Sequence, residues 1–319
     1  MRKRLLHRGN QVFTSDNLRS WFLSFLSFIT FFFLPCFAFA DWSPLIDRLV
    51  ADGFDEAAIR TLFSHPETKF EPSVMITKLA ELTKYSSKKT TGAPSHPSYN
   101  PKLVYKGYLK EKMITRARSY LRENLELLES ISSEYCVPKE IAVSILLVET
   151  RLGDFVGGRR AFNSLASMAL CANLEIIRPY LPKKLARPGN ENQVRDICRQ
   201  KGDWAYNELK ALIQYAEWSG FDPLDFPGSI YGAIGFCQFM PSNILFYGVD
   251  ADQDGRIDLF TKTDALFSMA NYLKEHGWKY TMDKVSQFQV ILDYNKSAAY
   301  ASTVLAVAEK LKDKSRVKK

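Results

Sequence analysis

Cysteine is scarce in this 319-residue chain: there are five, with no Cys-x-x-Cys pair and no cysteine at ligand spacing from a histidine. A structural zinc site is therefore excluded as the basis of the fold. No segment repeats at a fixed period, and no succession of alternating apolar and polar residues marks a sheet. Solenoid, propeller and sandwich architectures drop out, and the fold class predicted is mainly α. Extreme composition is absent too, since 46% apolar and 24% charged residues are ordinary for a folded soluble chain.

Long apolar runs are lacking except for one. Arg2, Lys3, Arg4 and Arg8 precede an almost wholly apolar stretch from Trp21 to Phe39, closed by Ala38-Phe39-Ala40. This is the three-part pattern of a secretory signal peptide, so residues 1–40 are expected to be removed after Ala40 and the product to be periplasmic. An uncleaved membrane anchor is the alternative, because the run approaches the ~20 residues a span needs. Cys36 follows Pro35, which argues against a lipid-modified cysteine. Losing the leader takes the net charge from +8 to +4. Export argues against a nucleic-acid partner, and a mild positive balance suits an anionic wall polymer. The four cysteines left, Cys136, Cys171, Cys198 and Cys237, allow three pairings; Cys171–Cys198 is the expected one, because the two flank a Pro-, Lys- and Arg-rich stretch that a crosslink would tether.

Residues 41–104 read as short helices followed by a linker, the latter in the Ser-, Lys-, Gly- and Pro-rich stretch 86–101. Tyr108–Tyr135 reads as one long amphipathic helix carrying Leu121, Leu125, Leu128 and Ile131 on one face. Pro138 opens the next helix, which runs to about Arg151. Helices follow at 161–171, 204–218, 264–276 and 298–312, with 178–200 irregular and 221–231 a loop. Residues 312–319 form a basic tail.

Four stretches carry chemistry. The helix at 139–151 is apolar nearly all round, with Ile145 and Leu146 flanking Glu149 on the helical wheel, so it is predicted to be buried. A desolvated carboxyl has a raised pKa and can serve as a general acid in glycoside cleavage. A structural carboxylate paired with Arg151 or Arg159 is the alternative. Secondly, the segment 228–241 is rich in glycine and aromatics, and its Ser229 and Gln238 are placed to hydrogen-bond a polar ligand. Thirdly, Asp250, Asp252, Asp254, Gly255, Arg256 (through its carbonyl) and Ile257 match positions 1 to 8 of an EF-hand calcium loop. Thr261 stands where the usual Glu belongs, and Asp264 is the available substitute. Finally, Tyr294, Asn295 and Tyr300 mark a helix start with two aromatics; by themselves they read as structural.

Taken in this order, Val148-Glu149-Thr150-Arg151-Leu152-Gly153, Gly235-Phe236-Cys237-Gln238-Phe239-Met240-Pro241-Ser242, the acidic loop with Ala270-Asn271-Tyr272 and His276-Gly277-Trp278, and Tyr294-Asn295 with Tyr300 resemble the lytic murein transglycosylases of the B type. The resemblance spans roughly 105–311. It implies a lysozyme-like α-helical catalytic domain there, with the calcium loop at 249–264. It also implies cleavage of the β-1,4 bond between N-acetylmuramic acid and N-acetylglucosamine in peptidoglycan glycan strands, leaving 1,6-anhydromuramoyl ends. Glu149 is then the single acid/base. Ser229, Gln238, Tyr272, Tyr294, Asn295 and Tyr300 line the sugar groove. Asp250, Asp252, Asp254, Arg256 and Asp264 hold a structural calcium ion, and no organic cofactor is implied. Two rival readings keep the same groove: a hydrolytic muramidase, with Asp154 positioning a water, and a non-catalytic peptidoglycan-binding protein. Cys237, where a small residue is more familiar, and the unmatched stretch 171–201 depart from the family pattern.

Overall fold

The computed structural model describes residues 41–88 and 97–312. The expected leader, the middle of the expected linker and all but the first residue of the basic tail lie outside the described residues. The described chain is mainly helical: α1 (Ser43–Ala51), α2 (Glu56–Ser64), α3 (Ser73–Lys88), α4 (Glu111–Glu123), α5 (Leu125–Tyr135), α6 (Lys139–Thr150), α7 (Ala161–Leu170), α8 (Leu174–Ile177), α9 (Glu191–Ser219), α10 (Pro241–Tyr247), α11 (Lys262–Glu275), α12 (Lys284–Tyr294) and α13 (Ala298–Lys312). The sheet is minimal. Strand β1 (Arg159–Arg160) pairs antiparallel with β2 (Pro227–Gly228). Among the described residues no helix is long and apolar enough to cross a membrane.

Helix α6 is the centre of the molecule. Every residue from Ile141 to Val148 is buried, as its all-round apolar pattern requires. Helices α4, α5, α11 and α13 pack round it. A second group forms on α9, which carries α7 and α10 and touches α3. Buried Glu208 of α9 accepts from the Ser242 amide at 3.0 Å and the Ser242 hydroxyl at 2.9 Å. It thereby satisfies donors that the start of α10 would otherwise leave open.

Three local expectations are corrected. The single helix expected over 108–135 is a short 3₁₀ turn (Lys106–Leu109) and two helices, α4 and α5. Asn124 divides them: its backbone and side-chain amides both bond to the Tyr120 carbonyl, at 3.1 and 2.8 Å, and end the first helix. The break turns Leu125 outward, while Leu128 and Ile131 stay fully buried. The stretch 178–200 is not irregular throughout, since α9 starts at Glu191 and runs unbroken for 29 residues. Its buried Val194, Cys198, Gly202 and Ala205 hold one helical register across the join. The expected Cys171–Cys198 crosslink is not formed: all four described cysteines are free thiols. Ion pairs hold that segment instead, with Arg178 bridging Glu175 at 2.7 Å and Glu191 at 2.9 Å and Arg195 reaching Glu191 at 3.0 Å.

Candidate active site

Glu149 sits in the last turn of α6, where the helix unwinds. Arg151, Leu152 and Gly153 follow with φ of 53°, 67° and 95°. Two consecutive left-handed non-glycine residues are costly, and a set of hydrogen bonds holds them in place. The Arg151 amide bonds to the Leu147 carbonyl at 3.1 Å, Leu152 to Leu146 at 3.0 Å and Phe155 to Thr150 at 3.0 Å. The Gly153 amide reaches Thr150 Oγ1 at 3.0 Å. The turn thus exposes the end of a buried helix to a cavity of about 430 Å³ lined by Tyr108, Glu149, Thr150, Arg151, Asp154 and Phe155.

Glu149 is half-buried in the cavity wall, and the desolvation of its carboxyl pushes its pKa up to about 7, opposed only by the Tyr300 hydroxyl facing it. Tyr300 Oη is itself enclosed without a well-formed hydrogen bond, so that opposition is weak. No arginine pairs with Glu149 among the described residues. Arg159 is bound to Glu71 instead, and the alternative of a structural ion pair falls. Asp154 is held by the Arg116 guanidinium through both oxygens. That contact keeps its carboxyl below the usual range, which makes it a poor base for activating a water. A general acid with these properties works only while protonated. Turnover is therefore expected to fall as pH rises through about 7, which a pH profile of kcat/KM from 5 to 9 checks; a flat profile across 6 to 8 would contradict it.

The second wall is the loop 228–241. The Phe236 carbonyl accepts from Thr150 Oγ1 at 3.0 Å, and Gln238 Nε2 donates to the carbonyls of Val156 at 3.1 Å and Gly235 at 2.9 Å. The Thr150 and Val156 bonds tie this loop to the turn after Glu149. The two Gln238 bonds spend its amide hydrogens, leaving its carbonyl oxygen for a ligand. Ser229 Oγ accepts from the amides of Ala233 at 3.0 Å and Tyr231 at 3.3 Å, which leaves its proton to donate. Gly235, at φ 73°, lies so close to Leu259 that a methyl there would come within 2.6 Å of the Leu259 carbonyl oxygen.

The predicted groove tyrosines divide. Tyr300 faces Glu149. Tyr294 donates to the Cys237 carbonyl and Tyr272 to the Asp293 carbonyl at 2.9 Å, so both hydroxyls are committed to backbone. Their rings form a cluster with Phe239, Tyr247 and His276, Tyr272 stacking on His276 at 3.8 Å. Tyr272 is nearly buried and supports the groove from behind. Asn295 ends α12 half-exposed. Sequence reading missed Tyr108, Thr150, Arg116 and Phe155 as parts of this site. Thr150 adjoins Glu149 in the motif and was within reach; Tyr108 and Arg116 come from outside any motif.

In the acidic loop, the carboxylates of Asp250, Asp252 and Asp254 converge within 4.8 Å of one another. Asp264 is not in that cluster. Its two oxygens accept from the amides of Ala251 at 2.9 Å and Asp258 at 2.8 Å, bracing the loop from beneath. Thr261 stands at the twelfth position because it caps α11, accepting from the Asp264 amide at 3.4 Å. Tyr215 anchors the loop by donating to the Ile257 carbonyl at 2.7 Å.

A larger cavity of about 540 Å³ lies between the α1–α2 turn and α9, bordered by Phe54, Asp55, Ile213, Glu217 and Phe221. The Asp52 carboxylate on its rim is already bonded to Lys210 and Tyr206.

Comparison with known proteins gives a consistent result. The curated membrane-bound lytic murein transglycosylase B of Escherichia coli K12 is 35% identical over 144 residues, 45% of this chain and 33% of that protein. The chain thus matches about a third of that relative's length. The E. coli lytic transglycosylase Slt35, solved in complex with calcium, superposes with a TM-score of 0.65 at 22% identity, covering 88% of this chain and 95% of that one. SltB3 from Pseudomonas aeruginosa, solved with NAG-anhNAM-pentapeptide, gives 0.62 at 20% identity, covering 86% and 80%. These likenesses establish the fold, which is the lysozyme-like helical one expected. A family model, the transglycosylase SLT domain, matches residues 38–285. The chain belongs to the transglycosylase SLT domain family.

Proposed function

We propose that this protein is a peptidoglycan lytic transglycosylase with Glu149 as its one acid/base. The observation that carries the reading is a carboxyl without an arginine partner, held near pKa 7 by desolvation in the wall of a cavity whose other carboxyl, Asp154, is clamped by Arg116. Protonated Glu149 gives its proton to the glycosidic oxygen as the bond to the muramoyl anomeric carbon breaks. The resulting carboxylate takes the proton from the same sugar's C6 hydroxyl, and that oxygen closes on the anomeric carbon. The proton count balances on one carboxyl, unlike the scheme that needs two. The internal nucleophile prevails over water by proximity. Ser229 and the Gln238 carbonyl are assigned to sugar polar groups, with Asn295 at the groove's far helix end. Mass spectrometry of products from purified murein sacculi tests the reaction: anhydromuramoyl ends are expected. Reducing ends would instead mean a hydrolase, and intact sacculi a binding protein.

We further infer that the protein is exported, on the strength of the leader pattern, with a mature start at Asp41 as the mark to look for. The loop 250–256 fits calcium by its donor chemistry. Three converging carboxylates repel one another without a cation, and Gly255 at φ 88° allows the turn. Asp250, Asp252, Asp254 and the Arg256 carbonyl would hold the ion, and Asp264 would keep the loop in shape. Its role is structural, since Leu259 at the loop's end accepts the Phe236 amide at 2.8 Å and so joins the loop to the groove. Calcium at a hundredfold excess over its dissociation constant is expected to add about 2.7 kcal/mol. Melting in EDTA and in calcium, for the native chain and Asp254→Ala, checks this; one common melting temperature would dispose of the site.

A further inference from the structure

Phe155 is 61% exposed in the wall of the Glu149 cavity, and the backbone around it is fixed. Its own amide is bonded to Thr150. Asp154 before it is clamped by Arg116, and the carbonyl of Val156 after it receives Gln238 Nε2. A single exposed aromatic is ordinary on a protein surface. This one differs in being held at a set place, in the same cavity wall as Glu149, by bonds to its own turn, to α4 and to the loop 228–241. A phenyl ring held in water forgoes the burial it would gain elsewhere, and here most of the residue stays uncovered.

We propose that Phe155 is a sugar-stacking platform: its ring takes the apolar C–H face of an N-acetylhexosamine unit next to the bond that Glu149 cleaves. This rests on the glycosidic reading of Glu149. The electron-rich face of an aromatic ring attracts the weakly positive C–H hydrogens of a pyranose. Having no hydroxyl of its own, phenylalanine holds the ring plane without reading the sugar's hydroxyl pattern. Specificity is left to polar groups such as Ser229 and Gln238. The contact fixes the sugar's height over the carboxyl, and it is made in the bound ground state as well as at the transition state.

The test uses the full mature chain carrying Glu149→Gln, so that the probe is not consumed, and titrates it calorimetrically with the N-acetylglucosamine tetramer. Adding Phe155→Ala is expected to weaken binding about five- to tenfold, the worth of one aromatic contact. Phe155→Trp is expected to restore it to within about twofold, and the melting temperature should not move. In the chain with Glu149 intact, Phe155→Ala should raise KM on sacculi and leave kcat nearly unchanged, as loss of uniform binding does. Equal tetramer affinity with and without Phe155 would overturn the platform while leaving Glu149's role standing. So would a marked drop in melting temperature, which would make Phe155 structural. Absence of anhydro products from the native chain would remove the glycosidic reading and this proposal with it.

Discussion

Glu149→Gln is expected to slow release of soluble glycan from sacculi by about two to four orders of magnitude while glycan binding is kept. The amide has the carboxyl's shape but can neither give a proton to the leaving oxygen nor take one from the C6 hydroxyl. No neighbour is placed to substitute. Asp154 is locked to Arg116, and the hydroxyls of Tyr294 and Tyr300 are pushed far above their ordinary pKa, chiefly by burial. The variant should also report on stability. The folded pKa of Glu149 lies above its unfolded value of 4.5, so the fold favours the protonated form. Stability is lost as pH rises from about the unfolded value through about 7, where the buried group must ionise. Glutamine avoids that loss. Its melting temperature should match the native chain near pH 4 and exceed it at pH 8, by an advantage of up to about 3 kcal/mol. Normal turnover by the variant would end the mechanism. Equal melting curves at pH 8 would contradict the burial of the carboxyl.

Gly157→Ala should produce the largest loss of stability among single substitutions near the site. Gly157 has φ 122°, and a methyl there would stand 2.1 Å from the Gly228 carbonyl oxygen and 2.2 Å from its carbon. Both atoms are backbone, so no side chain can swing aside. Opening the gap parts β1 from β2, where Arg159 faces Gly228, and shifts the Val156 carbonyl that holds Gln238. Backbone strain and overpacking together cost about 3 kcal/mol, or roughly 6–12 °C in melting temperature for a domain of this size. Cleavage should fall with it. Gly189→Ala is the control, because nothing lies within 4 Å of a methyl there; it should change stability by no more than about 0.5 kcal/mol. A Gly157→Ala chain as stable as this control would show that the two strands can separate freely.

Much of this was legible because helix burial leaves a local trace. The apolar pattern of 139–151 was enough to bury α6, and a carboxylate set among its apolar residues, far from the Lys139-Glu140 start, was enough to single out Glu149. The spacing of Asp250, Asp252, Asp254 and Gly255 likewise described a loop whose carboxylates do converge. Errors arose where a local signal competed with packing. The leucine stripe over 121–131 looked continuous, yet Asn124 ends a helix inside it. Three prolines upstream of Gly189 hid the start of α9, although Val194, Cys198 and Gly202 already carried its register. Cys171 and Cys198 suggested a crosslink, but both stand as free thiols.

By itself the sequence determined a helical class, the candidate carboxyl, the two loops and the order of the motifs, since each is written within a dozen neighbouring residues. Only the tertiary structure decided whether Glu149 has an arginine partner. That turned on Arg159 reaching Glu71, Arg116 reaching Asp154 and Tyr300 arriving from α13 to face the carboxyl. It also decided that Tyr272 and Tyr294 spend their hydroxyls on backbone while Phe155 keeps its ring free. A carboxyl's pKa and an aromatic's exposure depend on which distant segments close over them, and periodicity along the chain carries no record of that closure.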